Sequence, residues 1–266
     1  EMGISKVVVA QLDPNPIVSG KGIKYLQDNG IEVITSVLEK EAYNLNYTYN
    51  LFHSEKRPYV VLKQATSLDG KLAFTNERTQ ITGKEVYDFV RTERDNYQAI
   101  LVGAKTVLID NPKLAGANTS LFPPKRIVLD ADGAIFEKSN LNLFNNSSSE
   151  VIVFTKVKHE NLPSHVTLIT PKEFSIKEIL SEIAKLGIQS IYVEGGPSIH
   201  DQFLASGYWD EVITYISPIL LGGNNTSSFT SNRITSEKIQ LNNTKITKLG
   251  EDIRISGRRV SQCLQD

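Results

Sequence analysis

Residues 190–198 are Ser-Ile-Tyr-Val-Glu-Gly-Gly-Pro-Ser, and this stretch decides the fold. A short strand ends in the carboxylate Glu194, and two glycines then lead to a proline at a typical first helical position. Residues 99–103, Ala-Ile-Leu-Val-Gly, form a continuous apolar run of the kind found in strands covered on both faces. From residue 6 onward, short β-branched runs alternate with segments of helical periodicity. We therefore predict an α/β fold around a mixed, largely parallel sheet.

The composition indicates a folded chain of one to two domains. Of its 266 residues, 40% are apolar and 22% are charged, with 29 Lys and Arg against 30 Asp and Glu. A disordered chain would have fewer apolar residues, and a nucleic-acid-binding chain would be more basic. No apolar run approaches the ~18 residues that span a bilayer. We therefore predict a protein without nucleic-acid or membrane partners.

Cysteine and histidine usage argues against a metal site. The single cysteine, Cys263, excludes an intrachain disulfide and any zinc site with two thiolates, and it favours a reducing, cytoplasmic location. None of the four histidines has the spacing H-E-x-x-H or H-x-E. We predict no metal ligands in this chain.

Helix start signals and a domain boundary complete the predicted architecture. Thr82 to Glu85 and Ser175 to Glu178 both fit a capping box. The stretch from His53 to Pro58 is charged and ends in a proline that disfavours helix at residue 57. We place the domain boundary there, which gives domains 1–56 and 57–266. After the first capping box, five residues recur at helical spacing: Val86, Phe89, Val90, Glu93 and Tyr97.

Functional groups follow the ends of several predicted strands. Tyr59 to Leu62 is predicted as a strand with Lys63 at its end, and Gly103 and Glu194 end two others. In a parallel sheet these ends share one edge, where ligands of α/β proteins bind. The glycine turn after Glu194 suits a phosphate group. The same turn is also common where a strand simply meets a helix, so both interpretations stay open.

A series of motifs resembles one family. Over residues 58 to about 257, the chain resembles the reductase domain of the bifunctional riboflavin-biosynthesis deaminase/reductase, a relative of dihydrofolate reductase. The resemblance implies a three-layer fold, a homodimer or larger homo-oligomer, and NADPH-dependent reduction of the ribosyl group of 5-amino-6-(5-phosphoribosylamino)uracil to ribityl. The motifs are Pro58 to Lys63, Ser67-Leu68-Asp69-Gly70-Lys71, Ile81-Thr82, Arg91 with Arg94, Ile100 to Gly103, Thr106-Val107, Asp110-Asn111-Pro112 and Val193 to Gly196.

The resemblance continues upstream. Gly3 to Ala10, Asp13 to Pro16 and Gly20 to Ile23 resemble the C-terminal part of the family's cytidine-deaminase-like zinc domain. The H-x-E and P-C-x-x-C zinc motifs of that domain are absent here, so zinc is expected only in an upstream half that this chain lacks. Glu1 before Met2 leads to the same expectation of missing upstream sequence.

The resemblance also implies residue roles. Lys63 and Glu194 would bind sugar hydroxyls, Asp110 would stabilise a cationic imine at C1′, and Arg94 would contact the substrate phosphate. The catalytic set is therefore Lys63, Asp110 and Glu194. Further substrate-side positions are Thr82, Arg94 and Leu114, and cofactor-side positions are Ala65, Gln80, Thr106, Gly195, Gly196, Pro197, Ser198 and Ile199.

Two departures from the family pattern leave the activity open. Gln80 stands where the family has tryptophan, and residues 115–117 are Ala-Gly-Ala where it has Thr-x-Arg, so a phosphate-binding arginine is missing. Losing such a bond costs about 1.5–3 kcal/mol, or roughly ten- to hundredfold in affinity. Either Lys113 or Arg78 replaces it, or the site has decayed and the protein is an interaction or regulatory paralogue. A pterin or dihydrofolate reductase is a third alternative, which the sugar-facing catalytic set argues against.

Overall fold

The computed structural model describes residues 3–75, 77–117, 121–228 and 238–260. It divides into two compact units, one up to Tyr59 and one from Val60 onward. This division falls three residues beyond the end of the predicted first domain at residue 56. Cys263 lies outside the described residues.

The first unit contains a short parallel strand pair. β1 (Lys6–Val9) and β2 (Glu32–Thr35) pair in parallel and are joined by helix α1 (Lys21–Asp28). Parallel neighbours need such a crossover connection, because a tight turn reverses the chain. The helices that follow are α2 (Glu39–Leu45) and α3 (Tyr47–Glu55).

The break between α2 and α3 was not predicted. The spacing of Ala42, Leu45 and Tyr49 is typical of one continuous helix with these residues on one face, but the structure interrupts the helix at Asn46. The Asn46 side chain donates to the Ala42 carbonyl at 3.2 Å. Asparagine side chains compete in this way with the backbone bonds of a helix, which explains the break.

A nine-stranded sheet forms the centre of the second unit. Its strands are β3 (Tyr59–Ser67), β5 (Ala99–Gly103), β6 (Lys125–Leu129), β7 (Val151–Phe154), β8 (Val166–Ile169), β9 (Ser190–Val193), β10 (Glu211–Ser217), β12 (Leu241–Leu249) and β13 (Asp252–Arg259). The order across the sheet is β12-β13-β10-β3-β9-β5-β6-β7-β8. The pairs β10–β3, β9–β5, β5–β6, β6–β7 and β7–β8 are parallel, whereas β12–β13 and β13–β10 are antiparallel. The sheet is mixed and largely parallel, as predicted.

Helices cover the sheet, and a small strand pair lies apart from it. The helices are α4 (Lys84–Arg94), α5 (Ala104–Asp110), α6 (Asn142–Asn145), α7 (Ile176–Lys185) and α8 (Pro197–Ser206), with a 3₁₀ turn at Ala134–Glu137. The separate pair consists of β4 (Lys71–Ala73) and β11 (Thr226–Ser227).

The central strands face two cores. Leu101 of β5 belongs to a core that includes residues of α7 and α8, whereas its neighbours Ile100 and Val102 belong to a second core with Val107 of α5. Successive strand residues point to opposite faces, so a fully apolar strand supplies both cores. The domain therefore has the three predicted layers.

The helix start predicted at Ser175 is confirmed, and the one predicted at Thr82 is wrong. Ser175 caps α7, and its hydroxyl accepts a bond from the Glu178 N–H at 3.4 Å. At α4 the cap residue is Gly83 instead of Thr82, and its N–H donates to the Asp252 carboxylate at 2.7 Å. The helix therefore begins one residue later than predicted, and the Asp252 carboxylate satisfies the N–H of the cap residue itself.

Candidate active site

Three charged side chains meet in a buried triad at the end of β9. Glu194 follows β9 directly, and its carboxylate accepts two bonds from Arg94, from Nε at 2.5 Å and from Nη2 at 2.8 Å. The Lys63 ammonium lies 3.7 Å from the second carboxylate oxygen. The side chains of Lys63, Arg94 and Glu194 are only 14%, 17% and 11% exposed. The structure thus brings together the three charges that the sequence placed at strand ends or on the helix between them.

The position of Lys63 on its strand differs from the prediction. β3 continues to Ser67, so Lys63 lies in the middle of the strand and pairs in register with Ile213. Strand β10 explains the extension, because it pairs with β3 without interruption as far as Ser67. Lys63 still reaches Glu194, since the neighbouring strand β9 ends at Val193.

The triad keeps Glu194 ionised. Burial by itself would raise the pKa of Glu194, but the charges of Arg94 and then Lys63 outweigh it and lower the pKa to about 2. Burial lowers the pKa of Lys63, and the charge of Glu194 opposes that shift. With Lys63 protonated, the three groups carry one net positive charge, which favours an anionic ligand.

The glycines beside the triad allow a helix to approach the sheet closely. A Cβ atom on Gly195 would lie 2.5 Å from the Cβ of Ile199, and one on Gly103 would lie 2.8 Å from the Ile199 Cγ1. Both positions therefore require glycine for packing against the first turn of α8. Gly196 differs, because the nearest atom to an added Cβ would be the Thr106 Oγ1 at 3.9 Å.

The start of α8 has the features of an anion site. Gly196 is the cap residue in extended conformation, Pro197 begins the helix, and no side chain among the described residues caps it. The first turn contains no acidic residue. Pro197 has no N–H, and the N–H groups of Ile199 and His200 donate to the Gly196 carbonyl at 3.0 and 3.2 Å. The Ser198 N–H and the helix dipole are therefore what the first turn offers to a phosphate. Thr106 and Gly196, both predicted on the cofactor side, thus lie together.

Asp110 ends α5 at a distorted part of the chain. Asn111 and Leu114 have positive φ angles of 43° and 49°, and Leu114 is buried. Burial raises the pKa of Asp110, and the nearby charge of Arg78 acts against that shift. No hydrogen bond or ion pair in the described part of the chain joins Asp110 to the triad.

The loop that lacks the family's arginine is held firmly by α4. Arg94 donates to the carbonyl of the first residue of loop 115–117 at 2.9 Å, and Arg91 donates to the Gly116 carbonyl at 3.1 Å. The Asp95 carboxylate accepts from the amide of the third residue at 3.2 Å. A Cβ on Gly116 would collide with Asp95 at 1.7 Å, so this contact needs glycine.

The remaining predicted site residues have no further contacts that assign them a role. Ala65 is half-buried in β3 opposite Tyr215. The Gln80 amide donates to the Thr82 carbonyl at 3.4 Å. Lys113 is exposed in the loop after α5. Their functional roles stay predictions.

The motif Ser67 to Lys71 anchors a second loop. The Asp69 carboxylate accepts from the Ser67 hydroxyl at 2.6 Å and from the amides of Leu221 and Gly222 at 3.1 and 2.8 Å. The Ser67 bond and then the two amide bonds lower the pKa of Asp69 to about 2. The aspartate of this motif is therefore a loop anchor.

A buried cluster around Glu93 was not predicted as part of the site. The Glu93 carboxylate accepts from the hydroxyls of Tyr192 and Tyr215 at 2.5 and 2.6 Å and from Arg254 Nη2 at 2.6 Å. The signal in the sequence was a carboxylate at helical spacing with Val86 and the other apolar residues of α4. A charge in that position requires buried partners.

Two further surveys of the described residues are negative. They contain no group of three or more His, Cys, Asp or Glu side chains that could hold a metal ion. They also contain no helix with the length and hydropathy needed to cross a membrane.

Known proteins resemble the chain over nearly its full length. The riboflavin biosynthesis protein RibD of Aquifex aeolicus (strain VF5) is 35% identical, over 97% of this chain and 73% of its own. The solved structure of Acinetobacter baumannii RibD superposes with a TM-score of 0.86 at 30% identity, over 97% of this chain and 73% of the other. A Thermotoga maritima structure described as a diaminohydroxyphosphoribosylaminopyrimidine deaminase/5-amino-6-(5-phosphoribosylamino)uracil reductase gives 0.83 at 32%, over 97% and 72%.

These matches confirm the predicted fold class, a reductase domain of the dihydrofolate-reductase type. The family model described as the RibD C-terminal domain matches residues 58–255, the same span that carries the sheet, the triad and the glycine turn. The chain belongs to the RibD C-terminal domain family.

Proposed function

We propose that the chain is an NADPH-dependent oxidoreductase of riboflavin biosynthesis. Its reaction would be the reduction of the ribosyl group of 5-amino-6-(5-phosphoribosylamino)uracil to ribityl, the reductase activity named for the Thermotoga relative. The observation that carries the proposal is the buried Lys63–Glu194–Arg94 triad beside the open glycine turn of α8. It combines hydrogen-bonding groups for a sugar with an anion site for a dinucleotide.

The cofactor side of the proposal rests on α8. Gly196, Ser198 and Thr106 would hold a phosphate of NADPH, since Gly196 leaves open space before the uncapped helix start. Ala65 and Gln80 would lie further along the same cofactor. When bound, NADPH supplies the hydride.

The substrate side rests on the triad and Asp110. The C1′–O bond of the ribosyl ring opens, hydride adds to C1′, and a proton ends on the former ring oxygen. Lys63 and Glu194 would orient the sugar hydroxyls, and ionised Asp110 would stabilise the positive charge of the imine at C1′. Arg94 and Glu194 already pair with each other, so the substrate meets a site that is preorganised.

Arg78 is the stronger candidate for the missing phosphate contact. Both side chains are exposed, but the charge of Arg78 acts on Asp110, whereas no hydrogen bond or ion pair among the described residues joins Lys113 to a site residue. Arg78→Ala should raise KM roughly ten- to hundredfold for the phosphorylated substrate and much less for its dephosphorylated form. Lys113→Ala is the matched control, and an equal effect of both changes would contradict the assignment.

The proposed function is tested by NADPH oxidation, followed by absorbance, with the deaminated pyrimidine as substrate. The wild-type chain should turn over, Lys63→Ala should lose most of the activity, and Lys177→Ala on the exposed face of α7 should retain it. Dihydrofolate should be a poor substrate. Faster turnover of dihydrofolate would favour a pterin reductase, and no turnover of either substrate would favour a decayed site.

The second candidate function is that of an interaction protein with a decayed reductase site, because Ala117 stands where the family has an arginine. If the lost arginine has weakened phosphate binding, Ala117→Arg should lower KM for the phosphorylated substrate by roughly ten- to hundredfold. If Arg78 already makes the contact, Ala117→Arg should change KM little. An inactive protein that Ala117→Arg leaves inactive would support an interaction role.

We also propose that residues 1–56 correspond to the C-terminal part of a deaminase domain. The likeness to the Aquifex relative covers 97% of the chain, so it extends upstream of the family model at residues 58–255. The parallel β1–α1–β2 unit would belong to that part of the deaminase domain. Zinc binding, NADPH affinity and the oligomeric state of this chain can each be measured directly, by metal analysis, calorimetry and sedimentation.

A further inference from the structure

We propose that Glu93 is a positioning residue that fixes the Lys63 ammonium through the ring of Tyr215. The proposal rests on the reductase function proposed above, in which Lys63 binds the sugar. Lys63 contacts two groups that could fix it, Glu194 on one side and the Tyr215 ring on the other. Glu93 holds the Tyr215 ring in place by accepting a hydrogen bond from its hydroxyl.

The Glu93 carboxylate is buried and uses both of its oxygens. One oxygen accepts from the Tyr192 and Tyr215 hydroxyls, and the other accepts from Arg254 Nε and Nη2 at 3.1 and 2.6 Å. Glu93 is 7% exposed, and both tyrosines are fully buried. Such an ionic cluster contributes little to stability compared with an apolar one of equal volume. A function beyond folding would account for it.

The cluster is connected to Lys63 by the Tyr215 ring. Lys63 and Tyr215 lie on the adjacent parallel strands β3 and β10, with Tyr215 two residues beyond the register partner of Lys63. The Lys63 Nζ lies 5.6 Å from the centroid of the Tyr215 ring, within the range of a cation–π contact. Because the Tyr215 hydroxyl donates to Glu93, that bond holds the ring in the orientation that faces the ammonium.

Adjacent residues of α4 therefore support the two members of the Lys63–Glu194 pair. Arg94 binds Glu194, and Glu93 binds Tyr215 beneath Lys63. The charged and titratable groups that act on Lys63 are Glu194, Arg94 and Glu93, together with the ring of Tyr215. Burial lowers the pKa of Lys63, and the negative charge of Glu93 partly offsets this effect.

Tyr215→Phe and Tyr192→Phe form a matched pair of test variants. Each removes one hydroxyl that donates to the same oxygen of Glu93, but only Tyr215 contacts Lys63. We expect Tyr215→Phe to raise KM for the pyrimidine about fivefold with KM for NADPH unchanged, and Tyr192→Phe to have a clearly smaller effect. Equal effects of the two variants on the pyrimidine KM would overturn the proposal.

A second measurement does not need an active enzyme. The pKa of Lys63 can be followed by NMR of protein labelled at lysine Cε, with the signal assigned from Lys63→Ala. Glu93→Gln should lower the Lys63 pKa, since it removes a negative charge that raises it, and Tyr192→Phe should change it less. An unchanged Lys63 pKa in Glu93→Gln would overturn the proposal. If the wild-type chain does not oxidise NADPH but Glu93→Gln lowers the Lys63 pKa as expected, the reductase function is refuted while the positioning role of Glu93 is supported.

Discussion

Glu194→Gln should remove a pH-dependent part of the stability of the second unit. The carboxylate is buried between Arg94 and Lys63, and its pKa is about 2 compared with 4.5 for an unperturbed glutamate. Glutamine keeps the shape of the side chain and removes the negative charge. The two cations would then remain buried without the carboxylate that they share.

The magnitude follows from the pKa shift. A folded-state pKa of about 2 against 4.5 in the unfolded chain corresponds to about 3 kcal/mol of unfolding free energy near neutral pH. Because the folded-state pKa is lowered, this contribution is present above pH 4.5 and disappears as the pH falls toward 2. About 2 kcal/mol of it should be lost between pH 6 and pH 3.

Urea unfolding followed by tryptophan fluorescence measures this difference. The chain has one tryptophan, Trp209, which is buried in the core beneath α7 and α8 and so reports on the second unit. The quantity to compare is the gap in unfolding free energy between wild type and Glu194→Gln at each pH. Other carboxylates contribute equally to both proteins and cancel in the gap.

The gap should narrow by about 2 kcal/mol from pH 6 to pH 3, because protonated Glu194 resembles glutamine. The same substitution at exposed Glu160 is the matched control and should change the unfolding free energy little at pH 6. A gap for Glu194→Gln that stays constant over this pH range would refute the reasoning. It would mean that the carboxylate is not held ionised by Arg94 and Lys63.

Three further predictions concern the turns that frame the site. Gly195→Ala should lower the free energy of unfolding by about 1–3 kcal/mol in urea unfolding and should weaken NADPH binding in calorimetry. Adding Ile199→Ala should restore part of the lost stability, because it removes the side chain that the new Cβ would meet. Ser175→Ala should cost about 1 kcal/mol in urea unfolding, because the α7 cap is lost. Asp69→Ala should speed hydrogen exchange at the Leu221 amide while exchange in the central strands stays unchanged, and an unaltered Leu221 rate would show that Asp69 is not the anchor.

The apolar elements of the fold could be predicted closely from the sequence. Residues 99–103 were predicted as a strand with the bounds that the structure has. β3 was predicted too short, because Gln64, Thr66 and Ser67 are polar although they are buried. Their strand conformation depends on pairing with β10, which is about 150 residues distant and leaves no local signal.

The site could be predicted only in part, and the missing part is its long-range pairing. Motif resemblance identified Lys63, Arg94 and Glu194 and placed them near a ligand. It did not show that Arg94 pairs with Glu194, a bond between residues 100 positions apart. Glu93 has no ligand-binding motif, and its partner Arg254 is 161 positions away. A buried carboxylate can be suspected from helical spacing, but its partners require the fold.

Helix α4 changes how the missing arginine should be interpreted. Arg91, Arg94 and Asp95 hold the backbone of loop 115–117, and these hydrogen bonds involve only main-chain atoms of the loop. The departure from the family pattern at residues 115–117 therefore removes a charged side chain but none of these backbone hydrogen bonds. Gly116 fits this arrangement, since a Cβ atom there would lie 1.7 Å from the Asp95 Oδ1. The loop backbone and the triad are both ordered by these contacts, so the proposal that another cation binds the substrate phosphate depends on the outcome of Arg78→Ala and Ala117→Arg.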